Sequence, residues 1–119
     1  PAEVFISPVK MFTEFKGAIA ENIVLTSLLA QGYDLPHYWT LQGNKAEVDF
    51  LVNDGLRILP IEVKSDERIS GKSFAEYDKK YQPELRIRLS LKNLKKDGNL
   101  LNIPLYLADW MKQLLLLSQ

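Results

Sequence analysis

The chain has 119 residues, enough for one domain with a real core, and its fifteen basic and fifteen acidic side chains cancel. That balance excludes a global field drawing it to nucleic acid or membrane, and the absence of cysteine excludes disulfides and thiolate metal sites. No apolar run approaches the roughly 18 residues of a bilayer span and no secretory signal is visible, so a cytoplasmic domain with no membrane partner is expected. Pro1 stands where a full chain would have Met, which suggests a domain cut from something longer.

Pro1 to Thr13 reads as a short lead-in in which Val4-Phe5-Ile6 is apolar and Ser7-Pro8 breaks it. From Glu14 to Gln31, Phe15, Ala18, Val24, Leu25, Leu28 and Leu29 recur at three- and four-residue spacing, predicting a helix closed by Gly32. At about 100° per residue, Glu21 falls among Gly17, Ala18, Val24, Leu25 and Leu28, on the apolar stripe. A carboxylate there is costly unless polar partners meet it or it snorkels out at the stripe edge, and both readings stand. His37 to Leu41 has strand composition. His37 is the only histidine, so a structural role is expected of it and not a zinc site.

After a turn at Gln42-Gly43-Asn44 come two apolar strands, within Glu47 to Ser65, joined at Asn53-Asp54-Gly55. Asp66 to Ser70 is a polar loop. A short helix follows from about Ser70 to Ser73, where Ser73 and Glu76 match a capping box, and Pro83 ends it. Glu84 to Leu91 alternates polar and apolar without fault, as a strand with one face in the core does. Lys92 to Asn99 reads as a charged loop with an Asp-Gly turn, Ile103 to Leu107 as a last strand, and Ala108 to Leu117 as a closing helix. Gly71-Lys72-Ser73 has the look of the end of a phosphate-binding loop, but Asp66 stands where that motif needs glycine. A nucleotide site is therefore not expected.

Three charges interrupt the apolar hairpin: Asp49 on its first strand, Glu62 and Lys64 on its second. Period-two alternation puts Glu62 and Lys64 on one face, and residue parity across the turn puts Asp49 on the same one. Hard cations such as Mg²⁺ and Mn²⁺ prefer oxygen ligands, and Asp49, Glu62 and the backbone carbonyl of Val63 can supply a half-shell, with Glu21 as a further member. A cation there would polarise a scissile phosphate and lower the pKa of a water, while Lys64 orients that water or neutralises transition-state charge. A salt-bridged hairpin, with Lys64 neutralising Asp49 and Glu62, explains the same spacing equally well.

Glu21, Glu47-Val48-Asp49 and Ile61-Glu62-Val63-Lys64-Ser65 resemble the PD-(D/E)xK nuclease superfamily. A closer resemblance runs from about Met11 to Tyr106, through Phe15-Lys16-Gly17-Ala18-Ile19-Ala20-Glu21-Asn22, Lys72-Ser73-Phe74, Tyr81-Gln82-Pro83 and Ile103-Pro104-Leu105-Tyr106. It is to the uncharacterised C-terminal domain of prokaryotic AAA-type ATPases. The resemblance implies an α/β fold with a restriction-endonuclease-like αβββαβ core, a central mixed sheet flanked by helices, filling residues 1–119. It also implies metal binding by Glu21, Asp49 and Glu62 and catalysis by Lys64; together with the Val63 carbonyl as a metal ligand, and Asp49 and Glu62 counted with Lys64 as the catalytic set, these form the candidate site, with Mg²⁺ or Mn²⁺ as cofactor. An ATPase module upstream in the same chain and nucleic acid, DNA foremost, are the partners. The alternative is a catalytically silent nuclease-like domain that binds DNA or a protein and regulates the ATPase.

Nucleic acid needs a landing surface. Between Lys79 and Lys96, seven basic residues (Lys79, Lys80, Arg86, Arg88, Lys92, Lys95 and Lys96) face Glu84 alone. With Lys72 and Ser73, the residues Lys79, Lys80, Arg86 and Arg88 are the candidate phosphate contacts; a solvated lysine-rich loop is the competing reading.

Overall fold

The computed structural model describes residues 8–34, 37–40, 47–66 and 72–117. The expected turn at Gln42-Gly43-Asn44, most of the loop after Asp66 and the apolar Val4-Phe5-Ile6 lie outside the described residues. In order come α1 (Pro8–Ala30), β1 (His37–Thr40), β2 (Glu47–Asn53), β3 (Ile58–Val63), α2 (Lys72–Tyr81), β4 (Arg86–Ser90), β5 (Lys95–Asp97) and β6 (Leu100–Pro104). A 3₁₀ turn (Leu105–Trp110) and α3 (Met111–Leu117) close the chain.

The fold is α/β, with one mixed sheet in the order β1-β2-β3-β4-β6-β5 flanked by helices, compatible with the expected restriction-endonuclease-like core. β1, β2 and β3 run antiparallel, β3, β4 and β6 run parallel, and β5 returns antiparallel on the edge. The parallel step from β3 to β4 needs a crossover, and α2 supplies it.

Alternation divides the sheet into two faces. Phe50, Val52, Leu59, Ile61, Val63, Ile87, Leu89, Leu101 and Ile103 share one core with Ala20, Val24 and Leu28 of α1, and with Ala108, Met111 and Leu115 behind them. On the other face Phe74 and Tyr77 of α2 cover Val48, with Leu51 and Leu100 packed against them. Burial of apolar area at about 25 cal/mol per Å² makes the first face the main source of stability.

Several boundaries differ from expectation, each for a local reason. Pro8 opens α1 where a break was expected, since the first helical position loses nothing from a missing N–H. The buried stripe of α1 runs through Ala20, Val24, Ser27 and Leu28, leaving Phe15 and Leu29 exposed and Glu21 half-buried at its edge. Residues 54–57 form a longer hairpin loop than a tight turn. The Asp54 carboxylate accepts from the Leu56 and Arg57 N–H groups at 3.0 Å each, and Gly55 takes φ 99°. The expected loop after Lys92 contains β5, which pairs with β6; the last strand runs Leu100–Pro104, and residues 105–110 coil as a 3₁₀ turn.

That 3₁₀ turn straps α1 in place. Ser27 Oγ donates to Asp109 Oδ1, Gln31 Nε2 donates to the Ala108 carbonyl at 2.9 Å, and Lys112 N–H donates to Gln31 Oε1 at 2.9 Å. With its C-terminal half fixed, α1 holds Glu21 at a set height above the sheet. Among the described residues no helix is long and apolar enough to cross a membrane.

Candidate active site

The β2–β3 register pairs Phe50 with Ile61 and Leu51 with Pro60, so one step further Asp49 lies opposite Glu62. Between β1 and β2, however, His37 pairs with Leu51 and Trp39 with Val48. Two steps on β1 match three on β2, so β2 carries an extra residue in the span that holds Asp49. Such a bulge re-aims side chains locally. Here Val48 joins the α2 face although Phe50 and Val52 point to the large core.

Asp49 reaches two partners. Its Oδ2 accepts the Val63 N–H at 2.7 Å, and its carboxyl shares a hydrogen bond with Glu21 of α1. Burial pushes the Asp49 carboxyl up to about 7; the Val63 N–H opposes this, while the Glu21 hydrogen bond and the charges of Glu21 and Glu62 add to it. Glu21 also lines a shallow cavity of about 200 Å³ with Ala18, Asn22, Leu25 and Phe50. One turn earlier a Cβ on Gly17 would lie 3.8 Å from Ser65 Oγ, so α1 passes close over the end of β3.

Glu62 is only 5% exposed and faces a different environment. Arg88 Nε donates to its Oε2 at 2.9 Å, and Lys64 Nζ lies 3.6 Å from its Oε1. The Lys64 backbone N–H meanwhile donates to the Leu89 carbonyl at 2.8 Å, which continues the β3–β4 ladder past the strand end. Convergence of all charges on one hairpin face is therefore corrected: Asp49 turns to Glu21, and Glu62 turns to Arg88 and Lys64. Glu62 still lies near enough to raise Asp49 through its charge.

Glu21 and Asp49 fit a hard divalent cation: both are oxygen donors, in mutual contact, with excess negative charge that a cation would offset. Glu62 has two cationic partners instead, and among the described residues no three of His, Asp and Glu stand together in metal-holding geometry.

The candidate phosphate contacts separate in the same way. Arg86 and Arg88 already hold partners within the fold. Arg86 Nε donates to Asn99 Oδ1 at 3.1 Å and lies 3.5 Å from Asp78, Arg88 holds Glu62, and both guanidinium groups lie over the Phe74 ring at 5.2 and 5.9 Å. Lys79 and Lys80 stand exposed in the last turn of α2, and Lys92, Lys95 and Lys96 are exposed around β5. The side chains of Lys72 and Ser73, like that of His37, lie outside the described residues.

Residues 16–107 match a family described as a domain of unknown function, DUF4143. The chain belongs to this family. No curated protein matches it. The DUF4143 match runs from α1 to the 3₁₀ turn and includes Glu21, Asp49, Glu62, Lys64 and Arg88. Sequence reading missed the pairing of Arg88 with Glu62. Its signal, a guanidinium with the right strand parity, becomes visible only when Glu62 is known to sit opposite Arg88 in a parallel register.

Proposed function

We propose that this DUF4143 domain is a nuclease of the PD-(D/E)xK type, hydrolysing nucleic-acid phosphodiester bonds, DNA foremost, with Mg²⁺ or Mn²⁺, in the service of an AAA-type ATPase module of the same chain. The supporting observation is the contact between Glu21 of α1 and Asp49 of β2, beside Glu62 of β3 and Lys64 just past its end. In this reading Glu21 and Asp49 hold the cation, and Glu62 and the Val63 carbonyl complete its shell. Once bound, the cation supplies charge neutralisation at the phosphoryl oxygens. Lys64, about a third exposed, orients the attacking water or offsets charge on the phosphate. Exposed Lys79 and Lys80 hold the backbone, with salt-dependent affinity.

The test is cleavage of single- and double-stranded DNA and RNA with Mn²⁺ or Mg²⁺. Expected is metal-dependent cleavage that falls by about 10²-fold or more in Asp49→Asn, Glu62→Gln and Lys64→Ala. Metal uptake without cleavage of any substrate would overturn it.

One observation favours a second reading. Glu62 is already neutralised by Arg88 and Lys64, as in a catalytically silent domain that binds DNA or a protein and regulates the ATPase. That reading expects Glu62→Ala to leave DNA binding and ATPase regulation intact, so loss of either counts against it.

A further inference from the structure

One row of the sheet crosses four strands. Glu62 pairs with Arg88, Arg88 with Asn102, and Asn102 with Lys95. Directly paired residues share a face, and neighbouring strands lie about 4.8 Å apart, so the row leads from Glu62 to Lys95 over roughly 14 Å. At its far end is a groove of about 360 Å³ whose lining includes three basic residues, Arg88, Lys92 and Lys95, one carboxylate, Asp97, paired with Lys95, and the amides Asn93 and Asn102. Its wall is fixed by Asn102, whose Nδ2 donates to the Lys92 and Asn93 carbonyls at 3.1 and 3.0 Å while its Oδ1 accepts from Ser90 Oγ at 2.6 Å. Arg88 thus belongs to two places at once: it lines this groove, where basic residues outnumber the single carboxylate, and it holds Glu62.

We infer that the groove takes a backbone phosphate of nucleic acid, and that a phosphate there competes with Glu62 for Arg88, freeing Glu62 to join Glu21 and Asp49 around a divalent cation. The inference rests on the nuclease reading and adds to it an internal latch that ties metal binding to occupied substrate. Arginine suits this exchange because its planar fork binds carboxylate and phosphate alike. The guanidinium has little solvent to lose, since its side chain is only 14% exposed and lies over Phe74. Lys64 remains beside Glu62 after Arg88 moves, so the carboxylate is never left without a cationic neighbour. Linkage makes the effect reciprocal: the factor by which DNA tightens the metal equals the factor by which the metal tightens DNA.

The experiment is calorimetric titration of Mn²⁺ with and without a nuclease-resistant phosphorothioate duplex, on wild type, Arg88→Gln, Arg88→Lys and Lys92→Ala/Lys95→Ala. In wild type the duplex should tighten Mn²⁺ by about tenfold or more. Arg88→Gln should bind Mn²⁺ tightly without the duplex and gain nothing from it, and Lys92→Ala/Lys95→Ala should lose the duplex effect. Arg88→Lys, which keeps the charge beside Glu62 if the glutamine variant does not fold, should fall between wild type and Arg88→Gln. An Arg88→Gln or Arg88→Lys domain with wild-type Mn²⁺ affinity and wild-type coupling overturns the inference and leaves the nuclease reading standing. Absence of Mn²⁺ binding from every form overturns both. The Arg88 ε N–H resonance gives a metal-free check: it should move when the duplex is added to wild type, and an unmoved resonance excludes phosphate capture.

Discussion

On the α1 side of the sheet, Phe50, Ile61, Ile87, Leu89 and Ile103 are apolar and essentially fully buried, whereas on the α2 side one row reads Glu62, Arg88, Asn102, Lys95. The apolar face is stabilised by area and shape, and neighbours can share a loss. The polar row is stabilised only while every partner is present, because an orphaned buried charge costs several times what an exposed one does. Damage to the first face should therefore appear as lost stability. Damage to the second should appear as changed pH and ligand behaviour.

The largest expected loss is on the apolar face. Phe50→Ala should cost about 3–5 kcal/mol in urea denaturation; a cost near that of a surface substitution would break the comparison. Next comes the pH dependence of Asp49, whose folded carboxyl titrates near 7 because of burial and the neighbouring carboxylates. Below about pH 4 it is protonated in both folded and unfolded chains. Between pH 4 and 7 only the folded chain keeps the proton, so stability should fall across that window, by at most about 4 kcal/mol, and level off above it. Asp49→Asn should flatten that slope, measured as urea midpoints against pH; an unchanged slope would remove Asp49 as its origin.

Arg88→Ala should cost about 2–3 kcal/mol, moderated by the Lys64 that remains beside Glu62. Adding Glu62→Gln should recover part of the loss, and a purely additive double variant would mean that the two groups are not coupled. The smallest effect belongs to Lys95, whose exposed pair with Asp97 at 3.6 Å should be worth a few tenths of a kcal/mol. Lys95→Ala should hardly move the urea midpoint, which sharpens the contrast between the groove rim and the buried Arg88.

What the sequence made legible follows the same division. The hairpin, the alternation of β4 and the end of α2 before Pro83 all rest on local periodicity or turn chemistry, which one chain displays openly. β5 was hidden because Lys95, Lys96 and Asp97 are all exposed; a charged edge strand carries no apolar alternation and resists unwanted pairing. The exposed Phe15 and Leu29 could not be told from core positions, because the strap from Asp109 and Lys112 decides how α1 is rotated. Arg86 and Arg88 read as phosphate contacts because their partners come from elsewhere in the chain: Asp78 and the Phe74 ring from α2, Glu62 from β3 and Asn99 from the turn before β6. The bulge that turns Asp49 away from Glu62 is a matter of register between strands, invisible within either.

Titration of Mn²⁺ at pH 8 into wild type and Asp49→Asn, each with the phosphorothioate duplex, tests the proposed centre most directly. One saturable site in wild type, weaker as pH falls through 7 because the cation must displace a proton from Asp49, and lost in Asp49→Asn, is the expected result. Equal binding by both proteins, or no site in wild type, would contradict a metal centre at Glu21 and Asp49.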